Sequence, residues 1–374
     1  MANTFLVQRA EASDIPALGE LLDSVFRPQL VPGQGMPKEF PHLICAENAH
    51  NIYFVSDNGR PVSMVAVLIQ ETVFQGVTMP VVSIGSVCTR RAYEGRGISS
   101  QILDQVIRDL KADEIPLMLV SGTRGLYRRI HCVPVGKMYE VEWSADAAVA
   151  ATSEVAAGQE LFRVCEIPGE QKGAVSKRLA AIYRAEAYRF RRTDEQMEQL
   201  LDALWFQRDG HDQRLFTIEQ GTNTVAYAVA YEDKDRPGIV TVMEWAGSRT
   251  AFLMSATPIL KAFGATKLVW HVHVDDCEMR AKLRTMGITA TTMSLQGTVR
   301  ALDVPRLFSY LQPILRERFG GEVKAVETDG KWRVQSPLPT MEFTDIEDIV
   351  RWLFDHEENC LRIPFVHTDD LNFI

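Results

Sequence analysis

A turn rich in glycine and arginine lies between a strand-like and a helix-like segment, and its spacing suits the binding of phosphate groups. The stretch reads VCTRRAYEGRGISS, residues 87–100. Gly95 and Gly97 would let the backbone approach a bulky anion, and the first amides of the following helix would point at it. Three arginines add positive charge for phosphates: Arg90, Arg91 and Arg96. The pattern predicts a pyrophosphate-binding turn, although an ordinary strand–helix turn also accounts for two glycines.

The elements around the turn decide which kind of phosphate site fits. A dinucleotide-binding fingerprint is a poor match, because Ser100 stands where G-x-G-x-x-G needs its last glycine. A strand is predicted from Val81 to Thr89, and the helix after the turn has an apolar stripe from Ile102 to Leu110. A buried strand, PLMLVSG, and a short helix, GLYRRI, follow.

This arrangement resembles motif A of the GCN5-related N-acetyltransferase (GNAT) family, which has Gln/Arg-x-x-Gly-x-Gly/Ala between a strand and a helix. Gly97 matches the central glycine, whereas Glu94 replaces Gln/Arg and Ser99 replaces Gly/Ala. The resemblance implies an acetyltransferase with acetyl-CoA as co-substrate and no metal. It also implies that backbone amides of the turn bind the pyrophosphate, within the residues Glu94, Gly95, Arg96, Gly97, Ile98, Ser99 and Ser100.

Two further features of the family have counterparts. The family splays the strand before the turn, so that its backbone pairs with the pantetheine arm, and here that strand end is Val87, Cys88 and Thr89. The family also often ends its next helix in Tyr-x-x-x-Gly-Phe, whose tyrosine often donates a proton to the departing coenzyme A thiolate. Tyr127 aligns with it, and His131 replaces the glycine. The alternative for Tyr127 is a half-buried packing role.

The whole chain resembles the enhanced-intracellular-survival type of acetyltransferase. That type joins a GNAT unit, a degenerate GNAT-like unit and a sterol-carrier-like C-terminal domain. The corresponding turn of the second unit, Trp245–Thr250, has one glycine and is expected not to bind the cofactor. In that type the C-terminal carboxylate serves as a base, which implies this role for the Ile374 carboxylate. A frayed tail, or proton loss through water, is the alternative.

The predicted fold class is α/β with mixed sheets (α+β): tandem GNAT-like domains and a small α/β C-terminal domain. An alanine-rich stretch without a periodic apolar face marks the first boundary. The predicted domains are 1–145 for the acetyl-CoA-binding GNAT domain, 146–160 for a linker, 161–297 for the degenerate domain, and 298–374 for the C-terminal domain whose tail reaches the active site.

The composition of the chain disfavours several classes of protein. The chain has 374 residues, 40 basic and 49 acidic side chains, and a net charge of −9, which disfavours a general nucleic-acid binder. Hydrophobic residues make up 46%, enough for real cores, and no apolar run approaches the roughly 20 residues of a membrane span. The six cysteines lack Cys-x-x-Cys spacing and are expected to be reduced thiols of a cytoplasmic protein.

Three weaker signals have alternative interpretations. His271, His273 and Asp275 would share one face of a strand, which suits either a divalent metal or a polar surface. The basic segment 184–192 could touch nucleic acid, but a solvated helix end or contacts to neighbouring domains are favoured. Cys88 lies near the expected thioester, so a covalent route stays open.

The sequence therefore predicts an N-acetyltransferase that moves acetyl directly from acetyl-CoA to a primary amine of a small acceptor. Asp369 and Asp370 beside the acceptor would favour polycations such as aminoglycosides or polyamines. Nucleic acid and membrane are not expected as partners, and self-association is left open. The alternative functions are a decayed enzyme that acts as an acyl-CoA sensor or scaffold, and a lipid carrier in the C-terminal domain.

Overall fold

The chain forms two compact units. The computed structural model describes residues 5–122, 125–144, 161–203 and 213–374. The first unit holds residues 1–136, 296–368 and 374, and the second holds residues 137–295 and 369–373. The predicted linker, 146–160, lies outside the described residues.

Up to residue 136 the chain alternates strands and helices. Its elements are β1 (Gln8–Arg9), α1 (Ile15–Phe26), α2 (Met36–Glu39), β2 (Ile52–Asp57), β3 (Arg60–Phe74), β4 (Val77–Thr89), α3 (Ile98–Ala112), β5 (Leu117–Val120) and α4 (Gly125–Arg129). Helix α2 lies in the Pro/Gly-rich stretch that the sequence predicts as a loop. It forms because the Asp23 carboxylate accepts hydrogen bonds from the amides of Gly35 and Met36, at 3.0 and 2.7 Å.

The second unit is built from residues 137–295. Its elements are β6 (Lys137–Ser144), β7 (Arg163–Ile167), α5 (Lys172–Tyr183), β8 (Tyr188–Phe190), α6 (Asp194–Asp202), β9 (Gln213–Gln220), β10 (Asn223–Glu232), β11 (Ile239–Gly247), α7 (Arg249–Phe263), β12 (Lys267–His273), α8 (Cys277–Thr285) and β13 (Ala290–Ser294).

From residue 296 the chain returns to the first unit. The elements there are β14 (Thr298–Ala301), α9 (Val304–Phe319), β15 (Lys324–Thr328), β16 (Lys331–Gln335), β17 (Met341–Phe343) and α10 (Ile346–Phe354). Strands β15, β16 and β17 form a small antiparallel sheet.

Each unit has one large mixed sheet with a single parallel pair among the strands named here. In the first unit the strand order is β1-β2-β3-β4-β5-β14, and only β4 and β5 are parallel. In the second unit the order is β13-β6-β12-β11-β10-β9-β7, and only β11 and β12 are parallel. In both units a helix follows the first strand of the parallel pair, α3 after β4 and α7 after β11.

Two strands lie in a different unit from the one that the predicted boundaries give them. Strand β6 pairs with β12 and β13 of the second unit, whereas the sequence assigns it to the domain 1–145. Strand β14 pairs with β5 of the first unit, whereas the sequence assigns it to the domain 298–374. The physical reason is burial: Val141 and Trp143 of β6 belong to the core cluster of the second unit.

Apolar packing fixes α3 at the turn. Its predicted stripe is buried, and Ile102, Leu103 and Val106 share a core cluster with Val82 and Ile84 of β4. Within the described ranges, none of the helices combines the length and the apolarity needed to cross a bilayer.

Candidate functional site

Strand β4 leaves its parallel partner β5 before it reaches the glycine turn. The register of the two strands ends at Ile84 opposite Val120, while β4 continues to pair with β3 as far as Thr89. A bulge marks the divergence: the β3–β4 register shifts there, and Ser86 takes a φ of 53°. Bulges of this kind increase the local twist of a strand. Among the described strands, none pairs with the edge of β4 that faces away from β3 at Val87–Thr89.

The glycine turn, residues 94–97, ends at an uncapped helix. Gly95 and Gly97 have φ values of 74° and 75°, and a Cβ on either would meet nothing within 4 Å. Gly97 is the N-cap of α3, and no side chain bonds to the first amides of that helix. These amides have no intrahelical acceptor. With the helix dipole they form a site for an anion, in front of which there is open space.

The arginines near the turn point in different directions. Arg90 donates from Nε to the Pro61 carbonyl at 2.9 Å, so its guanidinium is tied to β3 rather than to the turn. Arg96 lies over the ring of Tyr93, with 4.8 Å between its Cζ and the ring centroid. Glu94 is exposed. Backbone amides, more than side chains, thus make up the anion site.

Tyr127 lies in α4 at the end of β5. Its side chain is 7% exposed, and it belongs to the same core cluster as Val87 and Ile98. A Cβ at Gly122 would lie 2.8 Å from the Cε2 of Tyr127, so a glycine is needed where β5 ends. The ring therefore packs beside the point at which β4 and β5 separate.

The replacement of the family glycine by His131 is accommodated by the backbone. His131 has a φ of 61°, the left-handed conformation that a glycine takes easily. Its Nδ1 lies 3.0 Å from Oε1 of Glu347 in α10. The Cys132 amide donates to the Tyr127 carbonyl at 3.0 Å, and Arg300 of β14 donates to the Ile130 carbonyl at 2.5 Å. The C-terminal segment of the first unit thus supports the helix that carries Tyr127.

Ile374 lies against β4. The residue is 7% exposed, and a Cβ at Gly85 would be 3.1 Å from its Cγ1 and 3.2 Å from its carboxyl carbon. The terminal carboxyl group is therefore next to the β4 backbone, one residue before the bulge at Ser86. A lone glycine inside a strand pattern indicates such a close backbone approach. Gly85 is therefore a signal in the sequence that the sequence analysis missed.

Cys88 is a poor nucleophile where it lies. Its side chain is 4% exposed, and burial raises the pKa of the thiol to about 12 although Arg90 opposes the shift. Since the thiolate is the reactive form, the covalent route is disfavoured.

In the second unit, side chains of the protein occupy the turn that corresponds to the glycine turn of the first unit. Ser248 caps α7 by accepting from the Ala251 amide at 3.2 Å. The Glu186 carboxylate accepts from the Gly247 amide at 2.9 Å and from both terminal nitrogens of Arg249 at 2.8 and 2.6 Å. An internal carboxylate thus takes the place of an anionic ligand. The start of α7 therefore differs from the start of α3, where no side chain caps the helix.

The other candidate residues from the sequence, His273, Asp275 and Asp370, contact side chains within the second unit. Tyr188 stacks on His273 at 3.8 Å between ring centroids and donates to Asp275 at 2.7 Å. In the described part of the chain no group of three or more His, Cys, Asp or Glu side chains is arranged to hold a metal. Asp370, proposed to attract a cationic acceptor, is 4% exposed and lies 3.5 Å from Arg192. Its side chain is therefore buried in the second unit and is not available to attract an acceptor.

Comparison with known proteins identifies the fold. Residues 7–134 match the acetyltransferase (GNAT) domain family. No curated protein sequence matches the chain. A GCN5-related N-acetyltransferase from Anabaena variabilis ATCC 29413 is similar in structure, with 13% identity, a TM-score of 0.62 and coverage of 97% of each chain. A GCN5-related N-acetyltransferase from Kribbella flavida has 14% identity and a TM-score of 0.59, and covers 91% of this chain and 84% of its own.

Eis1 from Mycobacterium abscessus is also similar, with 12% identity, a TM-score of 0.59, and coverage of 91% of this chain and 85% of its own. At these identities the likeness shows the fold, and it confirms the predicted fold class. Residues 7–134 therefore match the acetyltransferase (GNAT) domain, and the fold of the chain is similar to the folds of two GCN5-related N-acetyltransferases and of Eis1.

Proposed function

We propose that the protein transfers an acetyl group from acetyl-CoA directly to the primary amine of a small acceptor. The observation that carries the proposal is the separation of β4 from β5 after Ile84 and Val120, which opens a strand edge that leads to the uncapped start of α3. An open strand edge suits the amides of a pantetheine arm, and the helix start suits a pyrophosphate.

The residues present fit acetyl-CoA, which supplies the activated thioester. The backbone of Val87, Cys88 and Thr89 would bind the pantetheine arm. The turn and the first residues of α3 would bind the pyrophosphate through their amides: Glu94, Gly95, Arg96, Gly97, Ile98, Ser99 and Ser100. Amides on the open edge of β4 would also stabilise the negative charge that develops on the carbonyl oxygen.

Two groups would handle the protons. The Ile374 carboxylate would accept the proton of the acceptor amine, directly or through water, which frees the lone pair for attack on the carbonyl carbon. As the carbon–sulfur bond breaks, the Tyr127 hydroxyl would donate a proton to the sulfur. Ile374 packs at Gly85, and Val87 is two positions further along the strand, a distance of about 7 Å. That spacing supports the assignment of the carboxylate to the reacting end of the open edge.

The acceptor would be bound by the first unit, and the stretch Arg27–Phe40 is the candidate for its wall. Arg27 donates to both carboxylate oxygens of Glu39 at 2.6 Å, and both side chains are largely buried. This ion pair thus joins the two ends of the stretch Arg27–Phe40. With Asp370 turned into the second unit, the support for a polycationic acceptor rests on the overall charge alone. The mechanism requires only a primary amine, and we place the reaction in the cytoplasm.

Acetyl-CoA binding by calorimetry tests the proposal. The wild type should bind with one site per chain, and Gly97→Trp should not bind, because the indole would fill the space in front of α3. Gly76→Trp is the matched control, since Gly76 has a φ of 78° and equally open surroundings in the hairpin between β3 and β4. Equal binding by Gly97→Trp would overturn the proposed site. A wild type that does not bind would favour the alternative of a non-catalytic scaffold.

A further inference from the structure

Helix α4, which carries Tyr127, is too short to be stable by itself. It has five residues, Gly125–Arg129, whereas isolated helices shorter than about 12 residues are marginal in water. Contacts with other parts of the first unit must therefore fix its orientation. Several of these contacts come from residues 297–300, which lie far beyond the end of the match to the GNAT domain at residue 134.

The strand that supplies these contacts is firmly placed at the end of β5. Thr298 of β14 is opposite Val120, and its Oγ1 donates to the carbonyl of Gly122 at 3.2 Å. Gly297 has a φ of 92°, and a Cβ there would collide with the Val120 carbonyl oxygen. Gly122 is also the residue against which the ring of Tyr127 packs. The start of β14 therefore lies beside the strand end that supports this ring.

Strand β14 also bonds to the chain that leaves α4. Val133 and Val299 exchange a pair of backbone hydrogen bonds, with N···O distances of 2.9 and 2.8 Å. Strand β14 thus pairs with β5 on one edge and with Val133 on the other. The segments before and after α4 are both bonded to this one strand, which is a rigid support for a functional side chain.

Arg300 of β14 caps the C-terminal end of α4. The Ile130 carbonyl, directly after the helix, belongs to the backbone acceptors that a helix end leaves without an intrahelical donor. Arg300 donates from Nη1 to this carbonyl at 2.5 Å, as basic side chains do at many helix ends. The Ile130 amide in turn donates to the Tyr127 carbonyl at 3.2 Å. A single residue therefore links Arg300 to Tyr127.

The surroundings of Arg300 favour a role beyond stability. Its Nε is buried and has no hydrogen-bond partner in the part of the chain that the structure describes. Burial lowers the pKa of Arg300, although Cys132 and Asp104 oppose the shift. Desolvation of a charged group costs free energy that one bond to a neutral carbonyl offsets only in part. An apolar side chain would stabilise the sheet at a lower cost.

We propose that Arg300 is a positioning residue of the acetyltransferase site: from strand β14 it caps α4 and thereby sets the orientation of the Tyr127 hydroxyl. The inference rests on the proposed function for the use of that hydroxyl as a proton donor. It makes the site of the first unit incomplete without a residue that lies outside the match to the GNAT domain.

Arg300→Met tests the inference, because methionine keeps an unbranched apolar side chain and removes the donor to Ile130. The kcat for amine acetylation should fall about tenfold, since a displaced reacting group is costly. The Kd for acetyl-CoA, measured by calorimetry, should stay within about twofold of wild type, because the loss affects a proton donor and not cofactor binding. An unchanged kcat would overturn the inference.

Arg333→Met is the matched control. Arg333 of β16 pairs with Glu342 of β17 in the small sheet of the same unit, and its side chain is 44% exposed. Its loss removes an ion pair without touching β5 or α4, so kcat and Kd should match the wild type. A fall in kcat as large as that of Arg300→Met would overturn the specific role of Arg300.

A double-mutant cycle with Tyr127→Phe separates positioning from general damage to the fold. If Arg300 acts through the Tyr127 hydroxyl, Arg300→Met should lower kcat by less than about twofold once that hydroxyl is absent. A full loss of about tenfold in the Tyr127→Phe background would show that the two residues act independently, which would overturn the positioning role.

Hydrogen exchange distinguishes a failure of this inference from a failure of the proposed function. The Ile130 and Cys132 amides, which both donate to the Tyr127 carbonyl, should be protected in the wild type and exchange at least about tenfold faster in Arg300→Met. Rapid exchange in the wild type would overturn the inference even if Arg300→Met fails to fold. If acetyl-CoA binds and no amine is acetylated, the proposed function has failed. The exchange rates then still decide whether Arg300 fixes α4.

Discussion

The side chain of Ile374 packs directly on the α-carbon of Gly85, so that a Cβ at Gly85 would lie 3.1 Å from Cγ1 and 3.2 Å from the terminal carboxyl carbon. Gly85 is also the first residue of β4 beyond its pairing with β5. Ile374 is therefore in contact with β4 at the point where this strand leaves β5.

Gly85→Ala should lower kcat by about tenfold or more, because displacement of a reacting group by less than an ångström is costly. The added methyl would push the terminal carboxylate away from β4. Acetyl-CoA affinity should stay unchanged, since the turn at Gly97 is untouched. Gly169→Ala is the control, because a Cβ there meets nothing within 4 Å. Steady-state kinetics and calorimetry check the pair, and an unchanged kcat for Gly85→Ala would contradict the role of Ile374.

Tyr127→Phe should reduce kcat by about 100-fold, the lower end for loss of a general acid, since water can replace it in part. The ring would still pack on Gly122, so acetyl-CoA should bind as before. Tyr310→Phe, on helix α9 of the same unit, should behave as wild type. Equal kcat values for Tyr127→Phe and wild type would show that Tyr127 only packs.

Asp370→Asn should stabilise the protein more at pH 8 than at pH 5. Burial, with repulsion from Glu244, raises the pKa of Asp370 from 3.8 to about 7 although Arg192 opposes the shift. At pH values between 3.8 and about 7, Asp370 keeps its proton in the folded chain and has lost it in the unfolded chain. The stability contributed by the neutral acid is therefore full below pH 4 and is lost as pH rises toward 7. Asparagine retains the acceptor oxygen without the charge.

Thermal unfolding of Asp370→Asn, Asp369→Asn and wild type at both pH values checks this. A unit of this size shifts by about 2–4 °C per kcal/mol, so a difference of several degrees is expected for Asp370→Asn at pH 8. The same shift at both pH values, or a larger shift for Asp369→Asn, would contradict a buried neutral Asp370.

Cys88→Ala should keep kcat within about threefold of wild type, because only the backbone at this position faces the thioester and the truncation removes a single buried atom. The pKa of about 12 also predicts that Cys88 resists iodoacetamide at pH 7.5 in the native protein, whereas the exposed Cys277 should react. Mass spectrometry of the alkylated peptides checks the order. Loss of activity in Cys88→Ala would revive a covalent route.

The turn at Gly95 and Gly97 could be predicted from the sequence because its determinants are local. Two glycines, a preceding apolar strand and a following amphipathic helix lie within about thirty residues, a span over which periodicity and turn chemistry are informative. The backbone conformation of His131 could not be predicted in this way. His131 takes the left-handed conformation that suits the family's glycine, and no local pattern in the sequence indicates it.

The buried ion pair between Arg192 and Glu244 and the assignment of strands to sheets depend on contacts between residues that are distant in the sequence. Arg192, Glu244 and Asn372 are spread over 180 positions and only the folded chain brings them together. The sequence favours a solvated helix end or contacts to neighbouring domains for the segment 184–192, whereas Arg192 is buried within its own unit. Likewise the pattern of β14 indicates a strand but carries no sign of which sheet it joins.

The pairing of β5 with β14 also sets an order of events during synthesis. Val120 is opposite Thr298, so 178 residues must be made after the acetyltransferase edge strand before its neighbour exists. At about 5–20 residues per second, a ribosome needs roughly 9–36 s for this. An unpaired edge is a template for aggregation, so we expect nascent chains of this protein to be prone to aggregation during that interval. A fragment that stops near residue 134 would carry the exposed edge permanently, and it should be far less soluble than the full chain.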